Sequence, residues 1–166
     1  MVSQVVKMAF IGLALATTSA CSSTPTPDSI GYETYVQQGD MFKDTELTDS
    51  QGQAVQFAAN KKKLVILFAT WCSDSQRTLK ELKESPLLNH PELQIVAIGR
   101  EENNDSLNQF ASEFGTPFTL VADPDRQIYS RYANKGIPRL LLLDEQNRVL
   151  NTWIAEAPNT INEVKW

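Results

Sequence analysis

Cysteine and histidine are nearly missing. The 166 residues hold two cysteines and one histidine, so neither a metal site of clustered soft ligands nor any cofactor is expected. His90 stands alone in "LLNHPEL", a stretch read as a loop between a helix and a strand. Basic runs are short too. The longest, Lys61-Lys62-Lys63, is read as a solvated turn before a strand, and a formal charge of -5 gives no reason to expect nucleic acid as a partner. The apolar stretch "MAFIGLALA" (8–16) is too short to span a bilayer as a stable helix. A hydrophobic content of 42% nevertheless supports a folded core and argues against wholesale disorder. No internal repeat is visible.

Lys7 places a positive charge before that apolar stretch, and the small residues "TTSAC" lead from it to Cys21. The pattern resembles a bacterial lipoprotein signal peptide. The resemblance implies that residues 1–20 are removed and that Cys21 becomes the first mature residue, carrying acyl chains such as palmitate. Several chains together anchor a protein durably to a membrane. Thr18 departs from the pattern, which has Leu or a similar aliphatic there. An ordinary secretory signal that happens to precede a cysteine is the alternative. Ser22, where an Asp would retain such a lipoprotein at the inner membrane, leans toward the outer membrane. The expected location is therefore the bacterial cell envelope, lipid-anchored and facing the periplasm. Residues 21–40, rich in Ser, Thr and Pro, read as the lipidated cysteine and a flexible tether, and residues 41–166 as the folded domain.

From Phe42 onward the pattern is that of alternating elements. "TELTD" and "QAVQF" flank the turn "SQGQ" and predict a hairpin. "LVILFA" (64–69) and "LQIVAIG" (93–99) are continuous apolar runs of strand length, the mark of strands buried on both faces. Residues 73–84 predict a helix, with Ser73, Asp74 and Ser75 as capping groups, Leu79 and Leu82 on one face, and Pro86 beyond its end. "NNDSLNQFASEFG" predicts an amphipathic helix ending at Gly115. "FTLVA" reads as a strand and "DPDRQIYSRYA" as a short helix. "PRLLLLD" and "RVLNTWIA" form a hairpin around "EQN", and "PNTINEVKW" closes the chain as a short helix. Phe110, Phe114 and Phe118 read as core, and Trp153 as packing on the sheet. The fold class is α/β, a sandwich with a mixed central sheet.

A cysteine between a buried strand and a helix start has its sulfur near unpaired backbone N–H groups and the positive end of the helix dipole. Both favour the thiolate, which is the nucleophile, while Asp74 opposes it. Here a resemblance becomes specific. "FATWCSDSQ" resembles the thioredoxin-fold signature Trp-Cys-x-x-Cys, and "KGIPRLLLLDEQNRVL" resembles that fold's cis-proline loop and final hairpin. The hairpin "TELTDSQGQAVQF" and the segment "FGTPFTLVADPDRQIYSRYANKGIP" are similar to envelope thiol-disulfide oxidoreductases of the TlpA/ResA type, relatives of the AhpC/TSA peroxiredoxins. The resemblance covers about residues 42–155. It implies a thioredoxin-like three-layer sandwich with an N-terminal β-hairpin and a central βα insertion. It also implies that Pro138 is cis and lies against Cys72, and that the backbone of Ile137 pairs with an extended substrate segment beside Trp71.

The departures from that pattern limit the chemistry. Ser75 replaces the second, resolving cysteine, and Cys21 is the only other cysteine in the chain. Ile66 occupies a position that often holds a buried Asp or Asn in the family. Arg139 follows the proline where Thr is usual; it reads either as positive charge near the sulfur or, the favoured reading, as a surface arginine at a strand edge. With one thiol, Cys72 can attack a substrate disulfide and form a mixed disulfide that a second thiol releases. Ser75 would then hydrogen-bond the thiolate. The expected partners are envelope proteins with cysteines or disulfides, or a small thiol. A non-catalytic binding module is the main alternative. A one-cysteine peroxidase ranks lower, because Val65 and Ala69 stand where the peroxidatic motif has Pro and Thr.

Overall fold

Apolar side chains on both faces of "LVILF" decide the architecture. The computed structural model describes residues 31–166, and Gly31–Trp166 form one compact unit. Strands β1 (Leu47–Thr48) and β2 (Ala54–Val55) make a small antiparallel hairpin. The main sheet contains β3 (Lys62–Phe68), β4 (Leu93–Arg100), β5 (Thr119–Asp123), β6 (Arg139–Leu143) and β7 (Val149–Ile154), in the order β5-β4-β3-β6-β7. β3, β4 and β5 run parallel, and β6 and β7 are antiparallel additions. β3 is therefore central, with a strand on each side, which is why its residues from Lys63 to Phe68 are buried.

The period of two along the strands sends alternate residues to opposite cores. Leu64, Ile66, Phe68, Leu140 and Leu142 pack beneath helices α1 (Ser73–Glu84) and α2 (Asn104–Phe114), against Leu79, Leu82, Leu107 and Phe110. Val65, Leu67, Val96, Leu141 and Leu143 face the other way, toward Phe42 and toward Tyr129 and Tyr132 of the short helix α3 (Tyr129–Tyr132). This is the expected three-layer, thioredoxin-like α/β sandwich. Phe114, Phe118 and Trp153 are partly buried on the α1/α2 side, as expected. α2 ends as expected at Gly115, whose φ of 67° is the left-handed conformation that glycine adopts without penalty.

Several local expectations are corrected. Residues 31–40, read as part of a flexible tether, pack on the domain: the Tyr35 N–H donates to the Tyr132 carbonyl at 2.8 Å, the Gly39 N–H to the Val149 carbonyl at 2.8 Å, and Val36 packs on the core. Two side chains of the Lys61-Lys62-Lys63 run belong to β3, and Lys63 is fully buried, its Nζ donating to the Glu145 carbonyl at 2.9 Å. Burial pushes its pKa down. The helix expected from "DPDRQIYSRYA" shrinks to α3, because Arg126 takes a φ of 58° and the Asp123 carboxylate captures the Ile128 and Tyr129 N–H groups. The signal peptide and the lipidation of Cys21 lie outside the described residues, among which no helix is long and apolar enough to cross a membrane.

Candidate active site

β3 ends at Phe68, and four residues later the chain turns into α1, so Cys72 sits at the carboxyl edge of the central strand. Cys72 is itself the N-cap of α1, in extended geometry with φ -88° and ψ 120°. Its carbonyl accepts the Gln76 N–H at 3.0 Å, and its own N–H donates to Ala69 at 3.2 Å. No side chain caps this helix, so the expected capping by Ser73, Asp74 and Ser75 is corrected. Cys72 is a free, half-buried thiol. Its Sγ donates to the Ile137 carbonyl at 3.7 Å, across the loop in which the Ile137–Pro138 bond is cis. The structure thus brings Cys72, Ile137 and Pro138 together. Trp71, immediately before Cys72 in the chain, has 63% of its surface exposed.

Ser75, three residues after Cys72, stands in the first turn of α1. It is fully buried, and its Oγ accepts the Ala69 N–H at 3.3 Å, tying the first turn of α1 back to the end of β3. Asp74 is paired with Arg77, which offsets the negative charge expected to oppose a thiolate. Arg77 also donates to the Glu156 carbonyl at 2.7 Å, and Thr78 to Ala155 at 3.1 Å, so α1 is pinned to the segment after β7.

Arg139 is not a surface residue. It is 3% exposed, because its side chain lies on the core side of β6 under the N-terminal segment. Its guanidinium donates to the Thr34 hydroxyl at 2.7 Å, to Glu33 and Gly136 carbonyls at 3.2 Å, and to the Lys135 carbonyl. All of these partners lie in the cis-proline loop and the N-terminal segment. Ile66 is fully buried among the apolar side chains beneath α1.

One residue at this end of the sheet escaped the sequence reading. Glu102, past the end of β4, is 5% exposed and accepts the Thr70 N–H at 2.8 Å. Its signal was poor: Glu101 and Glu102 are identical neighbours, and only the tertiary fold turns the second inward. Among the described residues, no group of three or more His, Cys, Asp or Glu side chains is placed to hold a metal ion.

A parallel-centred sheet with a cysteine at a helix N-cap facing a cis-proline defines a protein of the thioredoxin fold. The sequence signature of the AhpC/TSA family matches residues 38–152, and the chain belongs to that family. It is 28% identical over 120 residues to the thiol-disulfide oxidoreductase ResA of Geobacillus kaustophilus, covering 70% of this chain and 69% of that one. Among solved structures it resembles a candidate protein disulfide isomerase from Bacteroides thetaiotaomicron (TM-score 0.72, 21% identity, 81% of this chain and 89% of that one). A secreted Mycobacterium tuberculosis disulfide oxidoreductase homologous to E. coli DsbE is also similar (TM-score 0.58, 19% identity, 70% and 88%). The family match and the likeness to ResA support the ResA type expected from the sequence and a thiol-disulfide oxidoreductase function, and the solved structures show the shared fold.

Proposed function

We propose that this protein performs monothiol exchange through Cys72, held at the envelope by a lipid on Cys21. The observation that carries the reading is the Cys72 sulfur at the N-cap of α1, aimed at the carbonyl of Ile137, with a buried serine in place of a second thiol. The Cys72 thiolate attacks one sulfur of a substrate disulfide. A Cys72–substrate S–S bond forms as the substrate bond breaks, and the departing thiolate takes up a proton. A second thiol then attacks the mixed disulfide and returns Cys72. No net oxidation occurs, which suits isomerisation or deglutathionylation better than reduction. The partners are envelope proteins with cysteines or disulfides, or a small thiol, and extended substrates would lie beside Trp71 along the backbone of Ile137.

The test is covalent capture. The full chain carrying Cys21→Ser, incubated with glutathione disulfide and with a cystine-containing peptide, is expected to gain one adduct mass at Cys72, reversed by dithiothreitol. No adduct at Cys72 under conditions in which iodoacetamide alkylates the same thiol would sink the exchange reading. A second reading, a binding module built on a redox fold, is favoured by Ile66 and Ser75, both unreactive and fully buried. Normal cellular function of a Cys72→Ala variant would support it.

A further inference from the structure

Glu102 is a buried carboxylate that the exchange chemistry leaves unused. Its Oε1 accepts both the Thr70 N–H at 2.8 Å and the Thr70 hydroxyl at 2.5 Å, and its Oε2 accepts the Ser106 hydroxyl at 2.7 Å. Among the described residues no lysine, arginine or histidine forms an ion pair with it. Burying a charge against neutral donors alone is costly, and what it returns is strength, because hydrogen bonds to an ionised acceptor are roughly twice as strong as neutral ones. Two of the three bonds come from one residue, Thr70. The Thr70 carbonyl is held too, by Gln76 Nε2 at 2.6 Å, so the N–H, hydroxyl and carbonyl of Thr70 are all bound. Thr70 lies two residues before Cys72, on the stretch that carries the sulfur from β3 into α1. Ser106 stands in the first turn of α2, whose capping box with Asn103 makes that end rigid.

We propose that Glu102 is a positioning residue for Cys72. Through Thr70 it anchors the loop to the start of α2 and keeps the sulfur over the Ile137 carbonyl and close to the first N–H groups of α1. The proposal rests on the exchange reading above for its consequence, but not for its test.

The test uses the full chain with Cys21→Ser, which leaves Cys72 as the one thiol. Glu102→Gln and Glu102→Ala both remove the charge, but only alanine removes the acceptor. In folded protein, judged by circular dichroism, the pH profile of Cys72 alkylation by iodoacetamide is expected about half a unit further alkaline in Glu102→Ala than in Glu102→Gln, because a sulfur that drifts from the helix end loses thiolate stabilisation. Mixed-disulfide formation with a cystine peptide is expected to be about tenfold slower in Glu102→Ala than in Glu102→Gln. Coincident profiles and rates would overturn the assignment, whatever the change in Tm. If the parent protein forms no mixed disulfide while the two alkylation profiles still separate, the exchange reading fails and the positioning role stands. Should Glu102→Ala not fold, Thr70→Val decides. It keeps the carboxylate and loses one donor, and a profile identical to that of the parent would count against the role.

Discussion

At the scale of single residues, Ser75 governs the fate of any adduct on Cys72. In the mixed-disulfide state a second thiol within reach would attack and release the substrate, and Ser75 offers a hydroxyl that is already bound to Ala69. Ser75→Cys is expected to restore that attack. The covalent adduct formed with a disulfide peptide should then decay to an internal disulfide as the peptide leaves as a thiol, read as loss of adduct mass with a deficit of two hydrogen atoms in the free chain. Adduct lifetimes equal to those of the parent would show that the second position cannot reach the first. The substitution also weakens the bond to Ala69, since sulfur is a poor acceptor, at a cost of about 1 kcal/mol.

At the scale of elements, two junctions hold the active end of the sheet. The first is Arg139, which at the start of β6 ties residues 33 and 34 to the cis-proline loop. Arg139→Lys keeps the charge but loses the planar fork. It is expected to cost about 1–3 kcal/mol in urea unfolding and to open residues 31–36 to limited proteolysis. Protection of that segment equal to the parent's would argue against the tie. The second junction is Gly99 in β4. A Cβ there would lie 2.7 Å from Leu107 Cδ2 and 2.9 Å from Glu102 Cβ, so Gly99→Ala must push α2 or the Glu102 loop outward. Overpacking of this kind costs about 1–3 kcal/mol, measurable as a lower urea midpoint, and a stability equal to the parent's would mean that the loop yields freely.

At the scale of the whole molecule, the layer opposite α1 and α2 carries its polar cost in buried phenols. Tyr132 donates to Asp44 at 2.6 Å, and burial together with that carboxylate pushes its pKa well above the usual 10.0. Burial raises Tyr129 in the same direction. For groups raised on folding, the stabilisation is whole below the unfolded value of about 10 and is lost as pH rises through the folded values. The urea midpoint is therefore expected to fall with pH above about 10, less steeply in Tyr132→Phe than in the parent. Equal slopes would remove Tyr132 from the account.

The fold was legible because its cues are local and redundant. Apolar runs bounded by turns mark β3 and β4, Gly115 marks the end of α2, and the short hairpin turn joins β6 to β7. The site was legible in part. Cys72 at a strand-to-helix junction and Pro138 in its loop are readable as a motif, since each lies in a stretch whose own residues announce the turn. What remained hidden depends on which residues distant parts of the chain bring together. The inward turn of Glu102, the burial of Arg139 under residues 33 and 34, and the attachment of 31–40 to the domain are contacts between residues far apart in sequence. The charge and polarity of those residues suggested solvent, and only packing decided otherwise. Sequence alone determined the order of elements and the one cysteine of residues 31–166, because propensity and atom count are local properties. Tertiary structure alone decided what holds that thiol in place, because a buried polar group must find partners wherever the fold puts them.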